Sequence, residues 1–307
     1  MIFFEKCDVL INGTGILAES ASLSVDTPFA SVDVLGTHFS QGYVNLGNLQ
    51  NSVELSYFLE TTKEPNRLIL NQIKENRLVV PTTTLTIGGL SGSFYLDTYR
   101  VQVVEHQPVM VTVSYVGFVP ISGSLTNSTN QTLYTTGFHT GIANYYSTTA
   151  TLKYINPTDP SNIYSVLLDS TNFESCSYNF KNNLQPIYAI GSLYPIDIKQ
   201  MAAEETVEII HDNWVHASAL GTSPATALNI SIPDVVVNGT KLPEIAIRFG
   251  VASTSHVFRF AGDDYLTSRF GDNLPNLIIS SGVVRSNRLI AIVNDSIKVN
   301  TTIVRYY

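Results

Sequence analysis

Four residues, Glu19-Ser20-Ala21-Ser22, return as Glu174-Ser175-Cys176-Ser177, about half the chain later in a sequence of 307 residues. At the same spacing Phe29 meets Leu184, Val32 meets Ile187, Leu35 meets Ile190, Gly36 meets Gly191 and Thr37 meets Ser192. After a one-residue gap, Val53-Glu54-Leu55 meets Val207-Glu208-Ile209. Identities are few, but an order of strand, glycine turn and strand that recurs at half-length spacing points to an internal duplication. The alternative is two unrelated β segments that share a Ser- and Val-rich composition. The duplication predicts one β domain over 1–155 and a second, diverged one over 156–307. The boundary falls at Asn156-Pro157-Thr158-Asp159-Pro160-Ser161-Asn162, a cluster of turn formers that interrupts either helix or strand.

Composition narrows the functional classes. Hydrophobic residues are 44% and charged residues 14%, the latter against roughly 25% in an ordinary soluble domain. A chain this apolar buries enough surface to offset its conformational entropy, which excludes disorder. So few ionic side chains also leave a monomer's surface thinly covered, which points to burial against other copies. The 17 Lys+Arg against 25 Asp+Glu give a net charge of −8, and no basic run occurs. That argues against a protein that grips nucleic acid, because each neutralised phosphate needs a Lys or Arg. No apolar stretch approaches the 18 or so residues of a membrane-spanning helix. The opening Met1-Ile2-Phe3-Phe4-Glu5-Lys6 reverses the charge order of a secretory signal, so cytosolic synthesis as a soluble chain is the expectation. Cys7 and Cys176 alone make neither a disulfide framework nor a zinc site.

Local patterning is mostly β. Val101, Val103, Val109, Val111, Val113 and Tyr115 alternate with Gln102, Thr112 and Ser114 around a turn at Glu105-His106-Gln107-Pro108. Gly88-Gly89-Leu90-Ser91-Gly92 marks a tight turn or bulge, and Ile297, Val299, Thr301 and Ile303 alternate near the C-terminus. Residues 122–136 read as a long polar loop or arm. One helix is expected over about 62–76: Thr61-Thr62-Lys63-Glu64 suits a capping box, Pro65 suits the first turn, and Leu68, Ile69, Leu70 and Ile73 form an apolar stripe. Ala217–Thr226, the only comparable stretch of the second half, contains Gly and Pro breakers.

Catalytic and metal motifs fail one by one. The six histidines, His38, His106, His139, His211, His216 and His256, are scattered, and the five-residue gap of His211 and His216 sends them to opposite faces of a strand. Gly221-Thr222-Ser223-Pro224-Ala225 lacks the second glycine of a nucleophile elbow. Asp263-Asp264 with Asp272-Asn273 matches no calcium loop, and Glu204-Glu205 reads as a solvated strand start. Neither a phosphate loop nor a dinucleotide fingerprint is present. Trp214 is the single tryptophan, so no tryptophan platform for sugars is evident, while the 16 tyrosines suit either such a platform or oligomer interfaces. No enzyme activity and no cofactor are expected.

Three further stretches carry a resemblance. They are Val53-Glu54-Leu55-Ser56-Tyr57-Phe58-Leu59-Glu60 followed by the capped helix, then Leu85-Thr86-Ile87-Gly88-Gly89-Leu90-Ser91-Gly92-Ser93-Phe94-Tyr95-Leu96, then Val101–Val104 with Gln107-Pro108-Val109-Met110-Val111-Thr112-Val113-Ser114-Tyr115. With them the sequence resembles the tail-tube proteins of bacteriophages, over much of 19–118 and more weakly over 174–212. The resemblance implies a mainly β fold: two tandem β-sandwich or barrel domains of tail-tube type, the first with a flanking α-helix. It implies a non-enzymatic virion protein whose rings stack into the tube that conducts the genome. The partners implied are the chain itself, stacked rings, and other tail proteins such as sheath or baseplate, with genomic DNA passing through unbound. Two tube domains per chain imply three chains per ring; one implies six. A baseplate hub or tube initiator stays open, as does a tandem β-sandwich adhesin or receptor-binding module. Glu54 and Glu208 are the expected lumen-facing acids. Val32, Val34, Val53, Leu55, Ile187, Val207 and Ile209 are the expected residues of oligomer contact and β-augmentation.

Overall fold

The computed structural model describes residues 7–26, 29–35, 42–45, 49–60, 64–75, 80–126, 141–155, 163–168, 171–212, 244–249, 256–260, 283–290 and 298–306. Among these the chain is mainly β, with antiparallel sheets. The strands of the first half are β1 (Val9–Ile11), β2 (Thr14–Gly15), β3 (Ala18–Asp26), β4 (Phe29–Ser31), β5 (Tyr43–Asn45), β6 (Gln50–Phe58), β7 (Thr82–Ile87), β8 (Leu90–Val104), β9 (Met110–Gly117), β10 (Ser122–Gly123) and β11 (Thr148–Ile155). Those of the second are β12 (Ile163–Leu168), β13 (Phe173–Lys181), β14 (Leu184–Tyr188), β15 (Pro195–Gln200), β16 (Glu204–His211), β17 (Glu244–Phe249), β18 (His256–Phe260), β19 (Val283–Ile290) and β20 (Lys298–Tyr306). A helix, α1, covers Asn66–Glu75.

Twelve strands form one sheet organised around β8, the longest of them. Along one edge β8 pairs first with β7 and then with β13; along the other it pairs with β10 and then β9. β9 continues to β6 and β3, while β13 continues to β16, β20 and β19. The alternation around the β8–β9 hairpin decides which face is inside: Val101, Val103, Val109, Val111, Val113 and Tyr115 are buried, and Gln102 and Thr112 are exposed. Leu85 and Phe94 bring the β7 end of the sheet over Leu23 and Val53 of β3 and β6. One apolar core results, to which Ile69, Leu70 and Ile73 of α1 and Cys176, Tyr178, Phe180, Val207 and Ile209 of the second half contribute. The β7–β8 turn is Gly88-Gly89, both with positive φ (55° and 91°), which suits a two-residue hairpin. A Cβ on Gly89 would also lie 2.6 Å from the carbonyl oxygen of Ser124.

Strand pairing repeats along the chain. β3 and β13 occupy equivalent positions, as do β6 and β16. Ala21 faces Leu55 and Ser22 faces Glu54; Cys176 faces Ile209 and Ser177 faces Glu208. Each pair is interrupted once, between Ala18 and Ser20 and between Phe173 and Ser175, at equivalent glutamates. The correspondence extends to strands whose sequences show no match. β8 and β19 pair with β9 and β20 in the same register, Tyr99 opposite Val113 and Asn287 opposite Thr301. Their irregularities also coincide, between Leu96 and Thr98 and between Val284 and Ser286. Two separate hairpins, β4–β5 and β14–β15, match as well: Phe29 faces Asn45 and Leu184 faces Gln200.

The turn formers 156–162 lie outside the described residues, but they connect β11 to β12, which pair along their length. That hairpin joins β17 and β18 in a separate four-stranded sheet. The Ala217–Thr226 stretch, Trp214, His38, His139, His216, the Asp263-Asp264 and Asp272-Asn273 pairs, and most of the 122–136 loop also lie outside the described residues.

Candidate assembly interface

β13 completes β8 edge to edge, from Ser175 opposite Val104 to Lys181 opposite Thr98. The first four-strand set, in the order β3-β6-β9-β8, therefore continues directly into the second, β13-β16-β20-β19. Beneath the join, Tyr99 and Val101 pack beside Tyr178 and Phe180, and the Tyr99 and Tyr178 rings meet edge to face at 6.2 Å. Asn182, fully buried, fastens the join at the β8 irregularity. Its backbone N–H donates to the carbonyl of Asp97 (2.7 Å) and its Nδ2 to that of Leu96 (2.8 Å).

The outer strands have no such neighbour. Among the described strands β3 pairs with β6 alone and β19 with β20 alone. The consequence for burial is visible at equivalent residues. Phe180 is 1% exposed whereas Val25 is 54% exposed; Cys176 is buried and Ala21 exposed; Tyr178 is buried and Leu23 half-buried. The same face of the same strand is covered where β8 lies alongside and bare where no described strand does.

The opposite face of the sheet is polar. Glu54 is exposed between Ser22 on β3 and Ser114 on β9, and Glu208 is exposed between Ser177 on β13 and Thr302 on β20. Hydroxyls bridge neighbouring strands on this face, Ser24 to Ser52 at 2.7 Å and Thr98 to Ser114 at 2.6 Å. Arg100 and Arg288, both exposed and at equivalent places on β8 and β19, share it. The two sets of four strands thus present a glutamate and an arginine at equivalent places among hydroxyls, joined by Asp26 on β3 and by Lys181, Glu204 and Lys298 in the second set. The arginines escape a search at fixed spacing, because the second pair of strands is displaced further along the chain than the first.

The remaining candidates separate into two groups. Val53, Leu55, Val207 and Ile209 are at most 1% exposed. They sit on β6 and β16, which have both edges occupied, so they are core residues and present no edge to a partner. Amphipathic strands attract attention through their apolar residues, which face the core; an edge is a matter of strand order and carries no sequence mark. Val32 and Val34 are exposed beside the first hairpin, and Ile187 is half-buried in the second.

Glu204-Glu205 needs the same correction. Glu205 is buried and its Oε1 accepts the hydroxyl hydrogen of Tyr178. Glu64 is buried too, and holds the start of α1: its Oε1 accepts the backbone N–H of Asn66 (3.0 Å) and the Tyr57 hydroxyl (2.8 Å). Asn66 in turn donates to the Tyr57 oxygen (2.9 Å) and accepts from Tyr115 (2.5 Å). Burial raises the Glu64 carboxyl to about 7, and the Asn66 and Tyr57 hydrogen bonds oppose that rise. Residues 61–63 of the expected capping box lie outside the described residues.

Among the described residues this cluster is buried in the core. The Cys176 thiol, buried, is pushed well up, and the half-exposed Cys7 thiol is raised by burial and by Asp8, so neither is an activated nucleophile. Among the described residues no group of three or more His, Cys, Asp or Glu is placed to hold a metal ion. A comparison with protein-family models finds no match, and neither does one with curated proteins.

Proposed function

We propose that the chain is a structural protein of a bacteriophage tail, built from two tandem tube-type domains, that closes into rings forming the tail tube. The join of β8 to β13 carries this reading. A set of four strands ending in a β8-type edge there accepts a set beginning with a β13-type edge, and among the described strands each chain keeps one unused edge of either type. Applied between chains, the same register sets β19 of one copy against β3 of the next, with Ser286 opposite Asp26 and Arg288 opposite Ser24. Repetition of that step buries Val25 and Ala21 as Phe180 and Cys176 are buried within the chain. It also removes the exposed edges that make open sheets aggregate.

Strand number sets the size of the ring. Three chains of eight strands, spaced about 4.8 Å apart and tilted about 40°, close a barrel about 48 Å across the backbone, with about 35 Å clear inside. Two chains leave a bore of about 20 Å, too tight for a hydrated duplex, by the same geometry. In the three-chain ring the hydroxyl-rich face lines the lumen, Glu54 and Glu208 recurring with Arg100 and Arg288. A lining of hydroxyls with balanced charge neither traps nor bars a duplex bearing one charge per about 1.7 Å. The genome passes without being bound, and the chain works in the virion, against further rings and other tail proteins.

The test is light scattering behind a sizing column with negative-stain imaging, at two protein concentrations. Rings of three chains with an open lumen are the expected result. A monomer at both concentrations refutes the proposal, and a ring of six makes the second half an appendage.

A further inference from the structure

A cavity of about 370 Å³ lies where the β14–β15 hairpin stands against the first half. The sheet contributes Tyr95 on β8 and Phe118 just after β9, with ring centroids 6.1 Å apart and planes tilted by 46°. The hairpin contributes Tyr194, whose backbone is held by the Ser192 hydroxyl: it donates to the Tyr194 carbonyl (2.6 Å) and accepts the Tyr194 N–H (3.2 Å). Phe118 is buried, Tyr95 half-buried, and Tyr194 and Asp197 exposed, so an apolar interior opens to solvent past a ring and a carboxylate. Among the described residues that line the cavity, Asp197 is the one with a charge. Its Oδ1 accepts the N–H of Ile198 (2.9 Å), which fixes the carboxylate. Burial raises the Tyr95 hydroxyl above its ordinary range and the Asp197 charge raises it further, so the field of the carboxylate falls on a wall of the cavity. Packing a hairpin on the sheet does not call for that acid. At the equivalent place in the first hairpin the chain has Gly42, whereas Tyr194 corresponds to another aromatic residue, Phe39.

From these observations we infer that the cavity is a binding site for a small organic cation that carries a quaternary ammonium group. Aromatic faces present negative potential and attract a cation, most strongly one with little water to lose. Asp197 adds a full negative charge beside them. A primary ammonium brings N–H donors that each need an acceptor, and carbon walls such as Val80, Pro195 and Ile198 supply none. A quaternary ammonium has no N–H to satisfy, and its methyl groups suit those walls. The volume is within the range of small-molecule sites. The cavity lies within one chain, so the inference stands apart from the ring reading.

The experiment titrates the full chain with choline and, separately, with 3,3-dimethylbutan-1-ol, which has the shape of choline without its charge. Saturation transfer from protein to the ligand methyl protons reads binding, and its concentration dependence gives the dissociation constant. Saturable choline binding, with the alcohol at least about fivefold weaker, is the expected result. Asp197→Asn should weaken choline by about fivefold at low salt and by less at high salt. Tyr194→Leu should weaken it by about three- to tenfold. Both side chains are exposed, so circular dichroism and thermal melting should match the parent chain. Phosphocholine forms a further arm: preference for it assigns the site to a phosphocholine headgroup, preference for choline to a free amine, and either supports the inference. Equal binding of choline and the alcohol overturns the cation assignment. Absence of saturable binding overturns the site, as does choline binding that both substitutions leave at full strength.

Discussion

Replacing Glu64 with Gln tests the most unusual energetic feature of the core. The carboxyl, buried at the start of α1, titrates at about 7 in the folded chain, against an ordinary value of 4.5. Below pH 4.5 it is protonated in both folded and unfolded chains and has no effect on the balance. As pH rises, the unfolded chain ionises first and the folded chain holds the extra proton, so stability falls until the folded group also ionises, at about pH 7. A tenfold change in proton affinity between the two states is worth about 1.4 kcal/mol, so the ionised group costs the fold about 3 kcal/mol above pH 7. Glu64→Gln keeps an oxygen to accept from Asn66 N–H and Tyr57, and carries no charge. It should match the parent chain at pH 4.5, then become more stable by about 2–3 kcal/mol at pH 8. The assay is urea unfolding of both proteins at intervals from pH 4.5 to pH 8, under conditions that keep them monomeric. The difference between the two isolates Glu64 from every other titrating group. A constant difference across the range, or a variant that weakens relative to the parent as pH rises, refutes the assignment of a strained buried carboxyl.

Other outcomes follow from the join between the halves. Asn182→Ala removes the buried hydrogen bond to the Leu96 carbonyl; chemical denaturation should show a loss of about 1–3 kcal/mol. Phe180→Ala opens a core cavity and should cost about 3–5 kcal/mol in the single chain, whereas Val25→Ala at the equivalent free edge should cost under about 1 kcal/mol in the monomer. The same Val25→Ala change should lower the yield of rings in sizing experiments, and an unaffected yield argues against β3 as the mating edge. Cysteines at Val25 and Asn287, opposite one another in the proposed register, should give crosslinked species up to three chains on oxidation. Crosslinking at equal efficiency from Val25 and Arg288 would show that this register is not the one adopted.

Much of the β architecture is legible in the sequence because a half-buried strand writes its two faces as alternation. Val101 to Tyr115 shows it, and Val53-Glu54-Leu55 against Val207-Glu208-Ile209 locates matching strands by the same signal. Glu54 and Glu208 also sit at equivalent exposed positions, as their spacing suggests. The match of β8 and β9 with β19 and β20 is invisible at that spacing. The segment between β16 and β19, which carries β17 and β18, is far longer than the segment between β6 and β8, and shifts everything after it. Similarity in these strands survives as hydrogen-bond register and coincident irregularities, which different side chains can satisfy.

Periodicity is the part of this fold that local sequence dictates: which segments become strands, which side of each turns inward, and that a pattern recurs at half length. Strand order came only with the folded chain, and with it the burial of Val53, Leu55, Val207 and Ile209 and, among the described strands, the open edges of β3 and β19. Folding also buried Glu205, an acid that reads locally as solvated, and Glu64, which reads locally as part of a helix cap. Alternation constrains a strand about its own axis. Which strand lies beside it, and whether a carboxylate there meets water or tyrosines, depends on pairings between residues far apart in the chain, which no local pattern encodes.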